Sequence, residues 1–265
     1  MALLFFLVSF GTSVAGGICG IGGGVIIKPV LDFWGIASVA AASFLSGCTV
    51  LSMSLYNVGG NLAGRSAGIE LRTGTPLALG AAAGGLLGSR LFSWLRSFAP
   101  SEGAVGAVQS ICLLILVLGT LIYTLKKSSI RPHQVRNPAG CAVIGLGLGA
   151  FSSFLGIGGG PFNLVVLHYF FAMEPKRAAA NSLYIILFSQ IANLLSLCLT
   201  SSIPEFQPQT LALMVSGGIC GGVLGRRLSK QMDNETVDRL FIGLLVVIIG
   251  ICLYNTGRYL SFAPA

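Results

Sequence analysis

Apolar residues in this chain come in long runs, without the two-residue or 3.6-residue alternation of a half-buried soluble element. Six runs have the length of about 20 residues that a bilayer-crossing helix needs: 38–60, 74–95, 105–125, 177–200, 210–228 and 237–255. Two further apolar regions, 2–35 and 139–173, are longer than one helix requires. Each is interrupted by the same five residues, Gly-Ile-Gly-Gly-Gly, at positions 20–24 and 156–160. A glycine in a helix interior costs about 0.5–1 kcal/mol relative to alanine, so three in succession predict a break. Backbone groups freed at a break are tolerated in lipid only where they line a cavity or meet a ligand. The two breaks are therefore expected to face each other and form a site.

Composition agrees with the pattern. Hydrophobic residues are 54% of the chain, charged residues 9%, and the mean hydropathy is +0.86, whereas a soluble domain is about 25% charged. The chain reads as an all-α polytopic membrane protein with no soluble domain, since its longest polar connections are 126–137 and 201–209. Its first residues, MALLFFLVSFGTSVAGG, lack the basic segment of a signal peptide. Their counterpart at 139–155 is internal and cannot be cleaved, so the first copy is kept in the fold. The net charge of +8 lies at the ends of spans and not on one basic face, which is the positive-inside pattern and no nucleic-acid surface. The seven cysteines sit in apolar segments without paired or metal-ligand spacing and read as small buried residues, Cys19 being the one near the first break.

The chain is also internally duplicated. Beyond the glycine clusters, residues 40–43 (AAAS) match 178–181 (AAAN), Asn57 matches Asn193, GGLLGSRL at 84–91 matches GGVLGRRL at 221–228, and Gly119 and Tyr123 match Gly250 and Tyr254. The join falls near 131–137, giving a first repeat over 1–130 and a second over 131–265. If each broken region crossed the bilayer once, the halves would run parallel, with eight basic residues inside and seven outside, Lys28 uncounted. If each broken region is instead a re-entrant hairpin, twelve fall inside and only Arg90, Arg96 and Arg258 outside. The positive-inside rule selects the second arrangement. The expected architecture is an inverted repeat of two units, each a Gly-broken hairpin plus three transmembrane helices, as in many secondary transporters.

The two spaced glycine clusters, each preceded by a further glycine at Gly16 and Gly149, the GGxxGxRL element in each half, and the length resemble the sulfite exporter TauE/SafE family, also called the 4-toluene sulfonate uptake permease family. The resemblance covers essentially the whole chain. It implies transport of small sulfur-containing anions, organosulfonates or carboxylates, in either direction. The halves differ at two prolines: Pro29 has Val165 as its counterpart, and Pro161 has Val25. The two sides of the expected site are thus chemically unequal.

An oxyanion wants several N–H donors and positive potential in a dry place. Gly22, Gly23, Gly24, Gly158, Gly159 and Gly160 are the candidate donors, with close helix packing as the alternative reading. The GGxxGxRL glycines, at helical spacing, read as packing. Lys28, four residues past the first cluster, is either snorkelling or paired with Asp32 at i+4, or attracts the anion. Intramembrane polar residues form a further set: Ser43, Ser46, Thr49, Asn57 and Asn61 in the first half, Asn181, Ser182, Gln190 and Asn193 in the second. About half are expected to bridge helices. Ser43, Asn181 and Asn163 are the preferred ligand contacts.

All eight acids lie at or near span ends, so no buried carboxylate relay is visible. His168 reads as a satisfied histidine near a hairpin mouth. No cofactor is implied; proton or sodium coupling stays open. Without an ATP-binding or metalloprotease motif, enzyme readings do poorly. The sequence thus reads as a multi-pass secondary transporter of small sulfur-containing anions in the cell (inner or cytoplasmic) membrane, working by alternating access around the paired hairpins. Its partners are the anion and the bilayer, with no nucleic acid, and homo-oligomerisation stays open. An anion channel of the same architecture, a carboxylate carrier, and a scaffold or membrane-embedded enzyme are the alternatives.

Overall fold

The structure, a computed structural model, describes residues 2–34, 38–63, 68–98, 102–157, 159–200 and 203–261. Helices α1 (Ala2–Cys19) and α2 (Gly24–Trp34) flank the first glycine cluster, and α3 (Val39–Ala63), α4 (Leu71–Phe98) and α5 (Glu102–Lys126) follow it. The second half repeats the order: α6 (Pro138–Leu155) and α7 (Phe162–Phe171) flank the second cluster, then α8 (Pro175–Leu199), α9 (Pro208–Gln231) and α10 (Asn234–Ser261). The described residues are all-helical apart from their connections and contain no strand.

Among them, six helices are long and apolar enough to cross a membrane: α3, α5, α6, α8, α9 and α10. Five coincide with spans read from the sequence. The sixth is α6, the first arm of the second broken region. Conversely α4, read as a clear span, is not among the six; five glycines and Arg72, Arg90 and Arg96 interrupt its leucines. Exposed Leu79, Leu86, Leu87 and Leu91 still give it an apolar outer face.

Both breaks are made by glycine conformation. Helix α1 ends at Gly20, with φ 75° and its N–H bonded to the Gly16 carbonyl at 2.8 Å, and α6 ends at Gly156, with φ 65° and its N–H 3.1 Å from the Ser153 carbonyl. These are left-handed helix stops that glycine alone adopts without strain. After the first stop the chain doubles back: a Cβ on Gly16 would strike Gly22 and Gly23, and one on Gly23 would stand 3.2 Å from the Ser13 hydroxyl.

The two halves interlock. Gly80, Gly84 and Gly88 of α4 lie on the carbonyls of Ala142, Leu146 and Ala150 of α6, while Gly145 and Gly149 of α6 lie on those of Leu77 and Ala81. Gly217, Gly221 and Gly225 of α9 fit against Phe6, Phe10 and Val14 of α1 in the same way. The GGxxGxRL glycines thus pack helices, small residues letting backbones approach where lipid offers no hydrophobic drive. Residue numbers rise together along both pairs, so α4 runs parallel to α6 and α1 parallel to α9. By the same test α3 runs parallel to α9 (Thr49 with Gly218, Met53 with Gly222) and α4 parallel to α8 (Gly74 with Asn181, Gly85 with Ser189). In contrast α5 and α10 are antiparallel, because Lys127 pairs with Asp238 and Gly106 meets Tyr259.

Three cysteines, Cys19, Cys141 and Cys252, are buried as the sequence implied; Cys198 and Cys220 are exposed on the outer faces of α8 and α9. In a membrane such a face meets lipid, which a weakly polar thiol tolerates.

Candidate substrate site at the paired glycine breaks

The two breaks meet. The Ile157 carbonyl oxygen rests on Gly24, where any Cβ would collide with it, and the Ile21 carbonyl oxygen is 3.1 Å from the Cβ position of Gly159. Ile21, Val25 and Ile157 are fully buried at this meeting. Helix α2 begins at Gly24, and its first backbone bonds run from Ile26 and Ile27 to the Gly23 carbonyl at 3.1 and 3.0 Å. The amides that precede them are those a helix N-terminus leaves unpaired. At the matching point of α7 stands Pro161, which has no N–H. The first break therefore offers one more donor than the second.

Behind the breaks lies a charge pair. Lys28 and Asp32 are only 3% and 6% exposed, and Lys28 Nζ is 3.4 Å from Asp32 Oδ2. Nζ also donates to Gln109 Oε1 of α5 at 2.8 Å, and Gln109 Nε2 donates to the Phe154 carbonyl at 2.6 Å, in the last turn before the second break. Lys28 Cε stands 3.4 Å from the Cβ position of Gly156. The pairing with Asp32 is the i+4 partner the sequence offered, but Asp32 corrects the reading that every acid sits out at a span end. Helix α2 has only 11 residues, so a position near its end is still inside the protein. Arg258 of α10 closes that end, donating to the carbonyls of Asp32 and Phe33 at 3.0 and 2.7 Å.

Two separate cavities reach the breaks. One, of about 430 Å³, is lined by Ser43, Ser89, Arg96, Ser153, Gly156 and Asn193, and arrives at the second break. The other, of about 540 Å³, is lined by Gly17, Asn57, Arg226 and Ala180 with further charged residues, and arrives beside the first. Aligning the repeats makes Ser153 equivalent to Gly17, Asn193 to Asn57 and Ser89 to Arg226, so the cavities are counterparts. Their charge differs: Lys176, Arg177, Arg226 and Lys230 face one carboxylate, Glu174, in the larger. In the smaller, Arg96 is the charged lining residue, among hydroxyls.

Of the ligand contacts expected from the sequence, Ser43 lines the smaller cavity and abuts Gly156, its hydroxyl donating to the Val39 carbonyl at 2.8 Å. Asn163 is buried three residues past the second cluster; Nδ2 is 3.3 Å from Ser182 Oγ and Oδ1 has no partner. Asn181 is placed otherwise. Its Nδ2 donates to the Gly68 and Arg177 carbonyls at 2.8 Å each, and its Oδ1 accepts from Glu70 N–H at 3.0 Å. Its amide is spent on holding the connection between α3 and α4. Gly22, Gly23, Gly24, Gly159 and Gly160 all lie at the meeting of the breaks; Gly158 lies outside the described residues. Gly160 abuts the ring of Phe162.

Several polar residues bridge helices as expected: Asn61 and the Gly60 carbonyl accept from Arg226, Asn193 Oδ1 accepts from the Ser89 hydroxyl at 2.8 Å, and Ser46 lies 3.4 Å from the Gly24 carbonyl. His168 Nδ1 is 2.8 Å from the Tyr123 hydroxyl, a satisfied histidine. Gln109, Ser153 and the α4 residues Ser89 and Arg96 were not singled out by sequence reasoning. Ser153 in particular carries a buried hydroxyl with no partner, at the edge of a cavity. No group of three or more metal-ligating side chains occurs among the described residues.

This architecture can be compared with known proteins. The family model of the sulfite exporter TauE/SafE matches residues 5–252. The chain belongs to that family. As a TauE/SafE protein it is a membrane transporter, integral to the bilayer through its candidate spans. It is similar to the probable membrane transporter protein YunE of Bacillus subtilis, 25% identical over 263 residues, 92% of this chain and 94% of the relative. It is also 30% identical over 116 residues to the probable membrane transporter protein MamO of Magnetospirillum gryphiswaldense, 42% of this chain but 18% of that longer one. MamO of Paramagnetospirillum magneticum matches in a similar way, 30% over 112 residues. No solved structure matches the chain significantly.

Proposed function

We propose that this TauE/SafE transporter is a secondary carrier of small sulfur-containing anions, such as sulfite, thiosulfate or organosulfonates, in the cell membrane. The observation that carries the reading is the meeting of the two glycine breaks between two separate, repeat-equivalent cavities. A carrier needs two approaches to one site and a barrier that closes one of them at a time. Here the barrier is the buried contact of Ile21, Val25 and Ile157, and the site is the set of helix-terminal amides around it with Ser43, Ser153 and Asn163.

The two halves are read as an inverted repeat. Support comes from helix direction: α5 and α10 are repeat equivalents and antiparallel, and α1 and α4 each run parallel to a helix of the opposite half, α9 and α6. The fold-back at Gly16 and Gly23 supports a hairpin that enters and returns. On this topology the strongly basic cavity faces the cytoplasm, by the positive-inside rule.

The test is flux of isotope-labelled sulfite and thiosulfate into proteoliposomes of the purified protein, with acetate and phosphate as controls, under proton, sodium and voltage gradients. Saturable, trans-stimulated flux of a sulfur anion is expected. Large unitary currents would instead make the protein a channel, and flux confined to acetate would make it a carboxylate carrier.

A further inference from the structure

The buried pair beside the breaks has a loose end. One oxygen of the Asp32 carboxylate, Oδ2, meets Lys28 Nζ; the other, Oδ1, is buried with no hydrogen-bond partner. Gln109 does not supply one: its Nε2 donates to the Phe154 carbonyl and its Oε1 accepts from Lys28. Arg258 is turned to the backbone carbonyls of Asp32 and Phe33. Among the described residues, Cys252 of α10 is a further ionisable group near enough to feel the charges of Lys28 and Asp32; Gln109 of α5 bonds Lys28, and Gly156, the glycine stop after α6, lies against Lys28 Cε and against Ser43 of α3. Lys28 and Asp32 thus neutralise each other in a dry place, and either partner alone would be a buried uncompensated charge.

Lys28 is also one glycine away from the smaller cavity. Gly156 lines that cavity and lies 3.4 Å, at its Cβ position, from Lys28 Cε. An anion arriving at the break competes with Asp32 for the same ammonium.

We propose that Asp32 is the proton-binding site of the carrier and Lys28 its exchangeable counter-ion. In the empty state Lys28 is ammonium and Asp32 carboxylate. An anion takes the ammonium, and Asp32, left without a counter-charge, takes one proton from water to become the neutral acid. One anion and one proton enter together, so the site stays neutral in both states and a monovalent anion crosses without net charge. On release the proton leaves Asp32 and the pair re-forms. This inference rests on the transport reading above and adds the coupling ion to it.

The probe is ethanesulfonate, a strong-acid anion with no titratable proton near neutral pH, so that any proton taken up belongs to the protein. Mixing it with purified wild-type protein in weak buffer is expected to take up one proton per anion bound. In proteoliposomes its accumulation ratio is expected to follow the pH gradient, about tenfold per pH unit, since one-to-one coupling links the gradients, and to ignore voltage. Asp32→Asn is expected to take up no proton with the anion it binds and to lose pH-driven accumulation; Asp32→Glu restores both. If Asp32→Asn does not fold, Lys28→Gln with Asp32→Asn, a neutral pair, is expected to bind at least tenfold more weakly with no proton uptake. Proton coupling that survives in Asp32→Asn or in the neutral double variant, or wild-type accumulation that follows voltage and ignores pH, overturns the proposal. A folded wild-type protein that moves ethanesulfonate, sulfite and thiosulfate under no gradient overturns the transport reading itself, and the coupling scheme with it.

Discussion

The carbonyl oxygen of Ile157 rests directly on Gly24, so the backbone of one half touches the backbone of the other with no side chain between them. Gly24→Ala puts a methyl group into that carbonyl and beside the Ser46 hydroxyl. Backbone must shift, which costs about 1–3 kcal/mol in a packed interior, and transport is expected to be lost. Gly243 of α10, with open space at its Cβ position, is the control: Gly243→Ala is expected to be neutral or to stabilise by up to about 1 kcal/mol. Thermal unfolding in detergent and flux, measured on both variants, check this.

Two buried polar residues separate structure from binding. Ser153 has an unpartnered hydroxyl, so Ser153→Ala removes nothing the fold relies on; melting temperature is expected to hold or rise while the KM for the anion increases. Asn181→Leu strips the Gly68 carbonyl and the Glu70 N–H of their partners, at a cost of about 1–3 kcal/mol for each group left unpaired. There the expected result is a lower melting temperature with KM unchanged in the protein that remains folded. The reverse pattern would exchange the roles assigned to these residues.

Ile157, whose side chain is fully buried, belongs to the barrier that the proposed carrier places between the cavities. Ile157→Ala is expected to cost about 2–5 kcal/mol and, in whatever folds, to leave an anion leak that no longer saturates or responds to trans substrate. Ile157→Val, with about 0.5–1.5 kcal/mol lost, keeps coupled flux. Leak in neither variant would remove Ile157 from the barrier.

The inverted arrangement has a direct readout. In a cysteine-free background, single cysteines at Gln134 and Glu205 report on the two longest polar connections. Impermeant maleimide on intact cells is expected to label position 205 and not position 134. Labelling of both from one side would rule the inversion out.

Much of this was legible in the sequence because it is written in residues with few alternatives. Triple glycines in an apolar run predict a break, and the chain breaks at both clusters, the helix stops falling on the first glycine of each, Gly20 and Gly156, at positive φ. The GGxxGxRL repeat announced close packing through its spacing alone, and Lys28 pointed to Asp32 by i+4 separation. What was not legible depends on how helices turn against one another. Ser89 and Arg96 face a cavity only because α4 lies along α6 through its glycine stripe, which rotates its hydroxyl side inward. Gln109 sits in an otherwise apolar span and finds Lys28, 81 residues away in sequence, only once α5 packs beside the breaks. That Asn181 bonds Gly68, Glu70 and Arg177 was not legible either, because an amide shows its capacity for hydrogen bonds and not its partners. Asp32 was misplaced since depth in a membrane protein is not distance from a helix end.

The interlocking of the halves also governs how the chain is made. Helix α1 leaves the ribosome well before the helix it lies along, α9. Until α9 arrives, Phe6, Phe10 and Val14 of α1 lack the glycines that pack on them. Insertion of α1 is therefore expected to precede its packing against α9, and a chain cut between α5 and α6 is expected to regain its shape only when both fragments occupy the same bilayer.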